Sequence, residues 1–504
     1  MRTPMMMLVL AMVACRGKVS DTDGDTFDTA SSMDSDGDGF TGDVDCNDAD
    51  PTINPAATEA CDGIDQDCDG VADEALASNT FYLDADGDGV GDGSITIQAC
   101  SAPPGYASVA GDCNDADKSV GSGTELCDGL PNGCANATWD PSMEAGHISF
   151  FPSTGAPVDL TPTLTGADFA PGHWTATGDG TIKVCSGTFY GSVSNGGHNL
   201  VIDGVDRSVT TLSGGHGDRA LLVTGGSVTV EDVTIRDGFT STSGGNVSCS
   251  GGSMILTRVR VTGGLSTAQG GGLYFATCPA VLTDVQVEDN TALQGGGIWF
   301  SSNQTWTSVT VDANSANGGG AGAYGTGATL SASGGQIMNN DANNNGDGGG
   351  LSLTAVAASL NGTSIRDNNA HRGAGVFLSD SDLTLTSLDF RNNQSDDTGA
   401  HVELTVGSTL VATEVTFREG DASQNGNGGT IAVRDASTFT LNGGEIRDNQ
   451  GDRTGGIWIV TGTANFFNTD FRNNDPDDAY ARGNGYDIGT GASGVCSDAS
   501  GCLY

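Results

Sequence analysis

The sequence predicts a mainly β protein: a right-handed parallel β-helix of about eleven coils, preceded by a small, disulfide-rich, Asp-rich calcium-binding module. Three observations support this prediction. A short motif recurs every 23 to 29 residues in the C-terminal part, Asp-Gly loops recur in the N-terminal part, and charge is unevenly placed. The chain has 504 residues, 79 glycines and a formal net charge of −45, and residues 21–150 hold 29 acidic residues and a single base, Lys118.

The C-terminal motif is an apolar anchor followed, three residues later, by Asn or Gly. The anchors are Leu212, Ile235, Val261, Val287, Val311, Ile337, Ile365, Phe390, Phe417, Ile446 and Phe471. The third residue after the anchor is Asn seven times (290, 314, 340, 368, 393, 449, 474) and Gly four times (215, 238, 264, 420). Because Asn and Gly tolerate the left-handed conformation, we expect this position to adopt it in each repeat.

Short alternating strands lie between the anchors, and Gly-Gly-Gly-apolar runs follow them at 270–273, 295–298 and 348–351. About 26 residues then form three strands and three turns, which is one coil of a parallel β-helix. We expect the anchors to stack inside and the Asn side chains to form a hydrogen-bonded ladder.

Three segments resemble the FxxN and GGxI repeats of chlamydial polymorphic outer-membrane proteins: Phe390–Asn393, Phe471–Asn474 and Gly296–Ile298. The resemblance covers about residues 180–475 and implies a pectin-lyase-like solenoid. It implies no particular activity.

The acidic part contains three loops with carboxylates at positions 1, 3 and 5, Gly at position 6 and a backbone carbonyl at position 7, the ligand spacing of a twelve-residue calcium loop. The expected ligands are Asp34, Asp36, Asp38, Phe40 and Asp45; then Asp65, Asp67, Asp69, Val71, Asp73 and Glu74; then Asp84, Asp86, Asp88, Val90 and Asp92. Position 12 of the third loop is Ile95, so that loop must borrow a ligand from Asp112, Asp115 or Asp117.

Carboxylate and carbonyl oxygens favour Ca²⁺ or Mg²⁺, and a flexible shell of many oxygens favours Ca²⁺. No His occurs before His147, so the module has no imidazole for copper or zinc. The alternative is a solvated acidic linker. Because so many carboxylates repel one another without cations, we expect several Ca²⁺ ions and coupling of binding to folding.

Residues 34–74 resemble the MopE-type metal-binding motif, D-x-D-G-D-G-F…D-C-N-D…P…E-x-C-D-G-x-D-x-D-C-D-G-x-x-D-E, and are also similar to thrombospondin type 3 calcium repeats. The second copy, residues 84–134, ends in CDGLPNGC, where the Asp series is lost after Asp128. We expect no metal in that last part. The name of the family refers to copper, which the absence of His argues against here.

The N-terminus resembles a bacterial lipoprotein signal. A short apolar run, residues 5–14, precedes Cys15 and is too short to span a membrane. The tetrapeptide at 12–15 resembles a lipobox, which implies lipidation of Cys15, and Arg16 favours the outer membrane. An ordinary signal peptide is the alternative. We therefore expect an outer-membrane or cell-surface lipoprotein of a Gram-negative bacterium, attached to the membrane only through the lipid.

The thirteen cysteines leave an even number once Cys15 is set aside, which suggests disulfides in an exported protein. Cys249 and Cys278 are about one repeat apart, and Cys496 and Cys502 are close enough for a local loop. Cys185 would then pair with the odd one of the seven cysteines in the acidic module, and the connectivity stays open.

The expected domains are a signal peptide (1–14), an acidic linker (15–33), the calcium module (34–145), a connecting segment (146–180), the β-helix (181–480) and a C-terminal cap with the Cys496–Cys502 loop (481–504). The excess of acidic over basic residues excludes a nucleic-acid-binding protein, which needs a basic surface.

Some features resemble sugar-cleaving β-helices. The tripeptides 215–217 (Gly-His-Gly) and 468–470 (Asn-Thr-Asp) match polygalacturonase motifs, but they lie some ten coils apart, so we interpret them as chance. His371 and His401 lie in adjacent coils and are expected at the surface. The arginines that follow six anchors, at 236, 366, 391, 418, 447 and 472, are expected to form a surface ladder.

The sequence thus favours a non-enzymatic, calcium-binding surface lipoprotein with an adhesive or structural β-helix. Its partner would be an unidentified extracellular glycan or protein. The alternative is a β-helix that binds or degrades a polysaccharide. A cluster of Asp, Arg and Lys on one face of three or four adjacent coils would distinguish the two, and we identify none from the sequence.

Overall fold

The structure is a computed structural model that describes residues 33–74, 76–112, 114–116, 127, 145–343, 346–422, 428–481, 486–488, 495–497 and 501–503. Throughout these ranges the regular elements are β-strands, and no helix is present. The chain divides into two compact units, residues 1–121 and 122–504, which are described separately. The prediction of a mainly β protein is confirmed.

The N-terminal unit contains one small sheet amid irregular loops. Its four strands lie in the order Tyr106–Ala107, Asn79–Leu83, Val90–Ala99 and Val109–Asp112. The two central strands pair antiparallel, and Val109–Asp112 runs parallel to Val90–Ala99. Disulfides Cys46–Cys68 and Cys61–Cys100 cross-link the loops. This unit has few buried apolar side chains, so disulfides and polar contacts must hold it together.

The second unit is a β-solenoid of about eleven turns, as predicted. The prediction of three strands per coil is wrong, because each full turn supplies strands to four parallel stacks, the fourth made of short strands at the turn after the anchor. Each strand pairs with its equivalent in the next turn. For example, Val261 lies opposite Val287, which lies opposite Val311. The predicted right-handed, pectin-lyase-like type stays a prediction.

The strands are grouped here by stack. Sheet 1 comprises Gly180–Val184, Leu200–Gly204, Ser227–Glu231, Ser253–Thr257, Ala280–Thr283, Gln304–Thr307, Thr329–Ser333, Ala357–Asn361, Asp382–Thr386, the first halves of Thr409–Arg418 and Thr438–Arg447, Thr463–Phe467 and Tyr486–Ile488. Sheet 2 comprises Gly187–Ser194, Thr210–Ser213, Thr234–Arg236, Arg260–Thr262, Gln286–Glu288, Thr310–Asp312, Gln336–Met338, Ser364–Arg366, Asp389–Arg391, the second halves of Thr409–Arg418 and Thr438–Arg447, and Asp470–Arg472.

Sheet 3 has the short strands Phe239–Thr240, Leu265–Ser266, Thr291–Ala292, Ser315–Ala316, Asp341–Ala342, Asn369–Arg372, Gln394–Thr398, Asp421–Ala422 and Gln450–Gly451. Sheet 4 comprises Gly172–Thr175, Leu221–Val223, Val247–Ser250, Leu273–Ala276, Ile298–Phe300, Ala323–Thr326, Leu351–Thr354, Val376–Ser379, Val402–Thr405, Ile431–Val433, Ile457–Ile459 and Ala479–Ala481. Ile148–Pro152 pairs antiparallel with Val158–Asp159 and Gly180–Val184 beside the first coil, and Val495–Ser497 pairs with Gly501–Leu503.

The predicted anchors all lie in sheet 2, and each faces the next in register from Leu212 to Phe471. They are at most 2% exposed and belong to one continuous apolar core. The neighbours on either side of each anchor face outwards, because successive side chains of a strand alternate. Toward the C-terminal end the core is aromatic, where Phe390 and Phe417 stack with ring centroids 4.8 Å apart.

The predicted asparagine ladder is present and buried. The Nδ2 of Asn290 donates to Oδ1 of Asn314 at 3.0 Å, and the same bond links 314 to 340, 340 to 368, 368 to 393 and 449 to 474. Each amide also bonds to backbone, as when Asn314 donates to the Val287 carbonyl and accepts from the Asn290 N–H. One side chain per coil thus satisfies the polar groups of a buried turn.

The left-handed residue is not the one predicted. After ten of the eleven anchors it is the second residue, not the third, that has positive φ: Asp237, Gly263, Asp289, Ala313, Asn339, Asp367, Asn392, Glu419, Asp448 and Asn473. Only after Leu212 does the third residue, Gly215, take this conformation. Asn recurs at the third position because its amide side chain bonds to the neighbouring coils, not because its backbone is left-handed.

Two coils with Gly at the ladder position fill the gap with the side chain of a residue that directly precedes a sheet 4 strand. Asn246 lies where a Cβ on Gly264 would come within 2.6 Å of its Nδ2, and it donates to Asn290. His401 occupies the place that a Cβ on Gly420 would need. Gly at these positions therefore makes room for a substitute side chain from the segment that leads into the sheet 4 strand.

The Gly-Gly-Gly runs have a related cause. The first glycine of a run has positive φ, as at Gly295. A Cβ on Gly297 would come within 2.6 Å of the Gly322 carbonyl and 2.9 Å of the Asn314 amide. The run therefore lets the turn approach both the next coil and the asparagine ladder.

Replacing one ladder residue should destabilise the solenoid. The variant Asn314→Ala leaves the Asn290 N–H and the Val287 carbonyl without their partner inside the turn, and each unsatisfied buried group costs about 1–3 kcal/mol. We expect a loss of at least about 2 kcal/mol in urea unfolding. Asn361→Ala, on an exposed strand position, is the control and should change stability by less than about 0.5 kcal/mol. Equal effects would show that the ladder is not stabilising.

Candidate metal centre

Three Asp loops of the N-terminal unit share one hydrogen-bond pattern. The position 6 glycine donates its N–H to the position 1 carboxylate, at 3.0 Å for Gly39–Asp34, 2.9 Å for Gly70–Asp65 and 3.1 Å for Gly89–Asp84. The N–H of position 5 bonds to the position 3 carboxylate at 3.2 Å in all three loops. The N–H of position 7 bonds to the position 5 carboxylate at 2.7–2.9 Å.

The backbone of each loop turns sharply at the same two places. Position 6 has positive φ at Gly39, Gly70 and Gly89, and position 4 has positive φ at Gly37, Cys68 and Gly87. Only position 6 in this pattern requires glycine, because Cys68 takes the position 4 conformation with φ 62°. These turns bring alternate carboxylates to one side of the loop.

At position 1, Asp34 and Asp84 accept N–H bonds with both carboxylate oxygens. At positions 3 and 5 the backbone bond occupies one oxygen and leaves the other free. Seven buried carboxylate oxygens in the described part of this unit have no hydrogen-bond donor: Asp36 Oδ2, Asp38 Oδ2, Asp45 Oδ2, Asp65 Oδ1, Glu74 Oε2, Asp86 Oδ2 and Asp112 Oδ2. Buried acceptors without donors are costly in a folded protein. A cation would satisfy them, and the oxygen donor set fits a hard divalent ion.

The first two loops bring their carboxylates within mutual reach of one ion. Ligand atoms of Asp36, Asp38 and Asp45 lie within 4.8 Å of one another, as do those of Asp65, Asp67 and Asp69. Asp73 accepts the N–H groups of Asp62 and Gly63 with Oδ1 at 3.1 and 3.0 Å, and its role as a ligand stays a prediction. Ligation by the carbonyls of Phe40, Val71 and Val90 stays a prediction.

The third loop gains Asp112 from another strand. Asp112 lies opposite Asp92 in the parallel pairing of Val90–Ala99 with Val109–Asp112, and it is 6% exposed. Its pKa is raised by desolvation and then by Asp88, Asp86 and Asp115 nearby. Asp115 accepts the Ala85 N–H at 2.7 Å, and Asp117 lies outside the described residues. Of the three residues considered from the sequence, Asp112 thus carries the free buried oxygen.

The same electrostatic conflict affects the first two loops. Desolvation and the neighbouring Asp38, Asp45 and Asp34 raise the pKa of Asp36. A backbone hydrogen bond lowers the pKa of Glu74, but desolvation and nearby carboxylates together raise it by more. The net effect is a raised pKa. Without a cation the ionised forms of these groups are disfavoured, as expected for carboxylates gathered around a binding position.

Two further carboxylates at these loops were not predicted from the sequence. Glu59, 8% exposed, accepts the N–H groups of Gln66 and Asp67 with Oε1 and that of Asp73 with Oε2, and it lies within ligand distance of Asp67 and Glu74. Asp48 groups with Asp34 and Asp36. Glu59 could have been recognised from the sequence, because it is the glutamate of the E-x-C part of the metal-binding motif, two residues before Cys61.

Disulfides remove thiolates from these centres. Cys46 and Cys68 join the end of the first loop to the second, so neither sulfur is a thiolate ligand. Two further disulfides involve the solenoid: Cys127–Cys185, and Cys249–Cys278, the pair suggested by the one-repeat spacing. Cys113 and Cys134 lie outside the described residues. Cys496 lies opposite Cys502 in the backbone register, and their side chains are outside the described set.

The expected surface position of His401 is wrong. His401 is fully buried and completes the ladder, with Nδ1 3.2 Å from Asn393 Nδ2 and Nε2 2.9 Å from Asn449 Oδ1. Burial lowers the pKa of His401 to about 4. His371 is partly exposed and 4.0 Å from Asp397. The two histidines therefore do not share a surface groove.

A second buried titratable group, not predicted from the sequence, lies two residues after His401 in the chain. Glu403 in sheet 4 is fully buried, accepts the Thr398 hydroxyl, and lies 3.4 Å from Arg434 and 3.8 Å from Arg372. The guanidinium of Arg434 lies over the ring of Trp458, and that of Arg372 lies over the ring of Phe377. Desolvation raises the pKa of Glu403 by more than the two arginines lower it, so the pKa is about 7.

The arginine ladder is present over five consecutive coils. Arg366, Arg391, Arg418, Arg447 and Arg472 face one another in register and pair with acids in adjoining columns. Arg236 lies apart, opposite Thr262. The two tripeptides that match polygalacturonase motifs lie far apart in the solenoid. In the first, His216 contacts Asp168 and Asp237. In the second, Asp470 lies opposite Glu445 in the strand register, near the C-terminal end of the solenoid.

A family model of the MopE copper-binding type, described as a "putative metal-binding motif", matches residues 45–74 and 112–138. The first match begins at Asp45 and ends at Glu74, across the second loop. Most of the second match lies outside the described residues. No curated protein and no solved structure matches the chain. Among the described residues, no helix is long and apolar enough to cross a membrane.

Glu403 should make the stability of the solenoid depend on pH. Because its folded pKa is raised above the ordinary value of 4.5, its contribution is fully present below pH 4.5 and is lost as pH rises through about 7. Relative to Glu403→Gln, the wild type should lose up to about 3 kcal/mol between pH 5 and pH 8, seen as a falling Tm.

The control is Glu414→Gln, because Glu414 is exposed in the neighbouring coil. The difference in Tm between this variant and the wild type should stay constant over the same pH range. A constant difference for Glu403→Gln as well would contradict the interpretation.

Proposed function

We propose that the protein is an exported, calcium-binding surface lipoprotein whose Asp-rich module is ordered by Ca²⁺ and whose solenoid is an adhesive or structural body. One observation carries the proposal: seven buried carboxylate oxygens without donors, in loops that repeat one hydrogen-bond pattern. Each loop is already folded around its carboxylates by its own N–H groups, and only the inward oxygens are unsatisfied.

Calcium is favoured by the donor chemistry. The candidate ligands are oxygens, there is no His before His147, and Cys46 and Cys68 are joined in a disulfide. Copper prefers imidazole or sulfur ligands, which these loops lack. The irregular loops, with ligands from several segments, also suit the larger and more adaptable shell of Ca²⁺ better than the octahedron of Mg²⁺.

Export and anchoring rest on different observations. Four disulfides indicate an oxidising compartment outside the cytosol. The lipobox-like Met12–Cys15 supports attachment through a lipid on Cys15. The solenoid offers long faces on which one residue type is repeated in register, which suits binding to an extended glycan or protein partner. We propose a non-enzymatic role because the motifs that suggested sugar cleavage are widely separated in the structure.

Calcium binding is tested by titrating the chelator-treated full chain in a calorimeter. We expect saturable Ca²⁺ binding at several sites and a rise in protease resistance of the N-terminal unit. Asp36→Asn and Asp67→Asn should each remove one site, since each removes a carboxylate from one group of ligands. Asp43→Asn, an exposed neighbour, should retain every site. Cu²⁺ binding without Ca²⁺ binding would refute the choice of ion, and absence of any metal binding would refute the function.

Lipidation is tested by the variant Cys15→Ser in a Gram-negative host. We expect the wild type in the membrane fraction with a lipid mass on its N-terminal peptide. The variant should appear in the soluble fraction, because the anchor is lost. Cys127→Ser is the control for removing a cysteine, since Cys127 pairs with Cys185. Unchanged partitioning of Cys15→Ser would eliminate the lipid anchor.

A further inference from the structure

One disulfide of the N-terminal unit lies directly between the first two metal-binding loops. Cys46 follows Asp45, which is position 12 of the first loop, and its partner Cys68 is position 4 of the second loop. The candidate ligand oxygen of Asp45 lies within 4.8 Å of both sulfurs, and the backbone nitrogen of Cys46 lies 3.1 Å from Cys68 Sγ. The disulfide therefore joins the ligand set of one centre to the turn that forms the next.

A second disulfide, Cys61–Cys100, connects the second loop to the third. Cys61 lies two residues after Glu59, whose carboxylate accepts three N–H bonds from the second loop. Cys100 directly follows the strand Val90–Ala99, which begins at position 7 of the third loop and pairs with the strand that supplies Asp112. The three loops are thus cross-linked in series, the first to the second and the second to the third.

Apolar burial contributes little to holding these loops together. Across residues 33–74, 76–112 and 114–116, the buried apolar side chains are those of Ile53, Phe81 and Ala107. Asp45 and Asp112 are both 6% exposed and each has a carboxylate oxygen without a donor, among ionised groups that repel one another. Without the cross-links, bringing the loops together would also cost more conformational entropy, so the ligand sets would separate.

We propose that the two disulfides make calcium binding depend on oxidation: the unit binds Ca²⁺ tightly only when both are formed, and bound Ca²⁺ protects both from reduction. The second effect follows from the first, because the coupling between two equilibria is reciprocal. The inference rests on the calcium binding of the proposed function and adds the regulation of that binding by thiol oxidation.

The redox step is a thiol–disulfide exchange. When each disulfide forms, two thiols of the chain give up two electrons and two protons to the disulfide of an oxidant, which is released as a dithiol. A dithiol reductant reverses the step, and the two cysteines regain their protons as thiols. Because cytosolic thiols are kept reduced, the chain would bind Ca²⁺ tightly only after its export and oxidation.

Calorimetric titration of the full chain with Ca²⁺ tests the dependence on the disulfides. The double variant Cys46→Ser/Cys68→Ser removes one cross-link and both of its sulfurs. We expect Ca²⁺ to bind roughly tenfold more weakly, or not at all, at the first two loops. Cys249→Ser/Cys278→Ser is the matched control, because it removes a disulfide of the solenoid, and it should bind Ca²⁺ as the wild type does.

Two outcomes of the titration separate this inference from the function on which it rests. Wild-type affinities in Cys46→Ser/Cys68→Ser would overturn the dependence on oxidation and leave the proposed function intact. Absence of Ca²⁺ binding by the oxidised wild type would refute the proposed function, and this inference with it.

A second measurement uses the wild type and does not depend on the folding of any variant. The full chain is equilibrated in mixtures of reduced and oxidised dithiothreitol, with Ca²⁺ or with a chelator, and mass spectrometry of alkylated peptides gives the reduced fraction of each disulfide. Ca²⁺ should raise the ratio of reduced to oxidised dithiothreitol at half reduction by roughly tenfold for Cys46–Cys68 and Cys61–Cys100. The ratio for Cys249–Cys278 should not change. Equal ratios with and without Ca²⁺ for the first two disulfides, or the same shift for all three, would overturn the inference.

Discussion

The solenoid depends on satisfying the polar backbone of a turn that is buried once per coil. A parallel stack pairs most N–H and C=O groups through its strands, but the turn after each anchor points inwards, where water cannot reach. The buried asparagines solve this problem, since their amides bond to the backbone of the preceding coil and to the next amide of the ladder. The repeat length, the anchor register and the glycine runs all follow from keeping these amides aligned.

The asparagine ladder also explains which departures the repeat tolerates. At Gly420 the ladder residue is missing, and His401, directly before the sheet 4 strand Val402–Thr405, takes its place. One ring nitrogen lies toward Asn393 and the other toward Asn449. A neutral imidazole has one donor and one acceptor, so it replaces the amide in a chain of hydrogen bonds. Burial keeps it neutral by lowering its pKa to about 4, which removes the charge that such a position would not accommodate.

The anchors, their register and the amide ladder could be predicted from the sequence because each depends on a residue type repeated at a fixed interval. The roles of His401 and Glu403 could not, since each of these residues acts once, through contacts between coils. The position of the left-handed residue was also missed, because Asp, Ala, Glu, Asn and Gly all occupy it and leave no single-residue signal. In the acidic module, loop spacing predicted the cluster, whereas the contribution of Asp112 depends on a sheet pairing 20 residues away.

The two units handle charge in opposite ways. In the solenoid, arginines stacked in register are each paired with an acid from an adjoining column, so like charges at neighbouring positions are tolerated. Across residues 33–74, 76–112 and 114–116 of the N-terminal unit, the carboxylates have no lysine or arginine among them, and they accept hydrogen bonds from N–H and hydroxyl groups. Neutralisation there has to come from solution. Cations would therefore be part of the folded state of this unit, whereas the stacked body carries its own counter-charges.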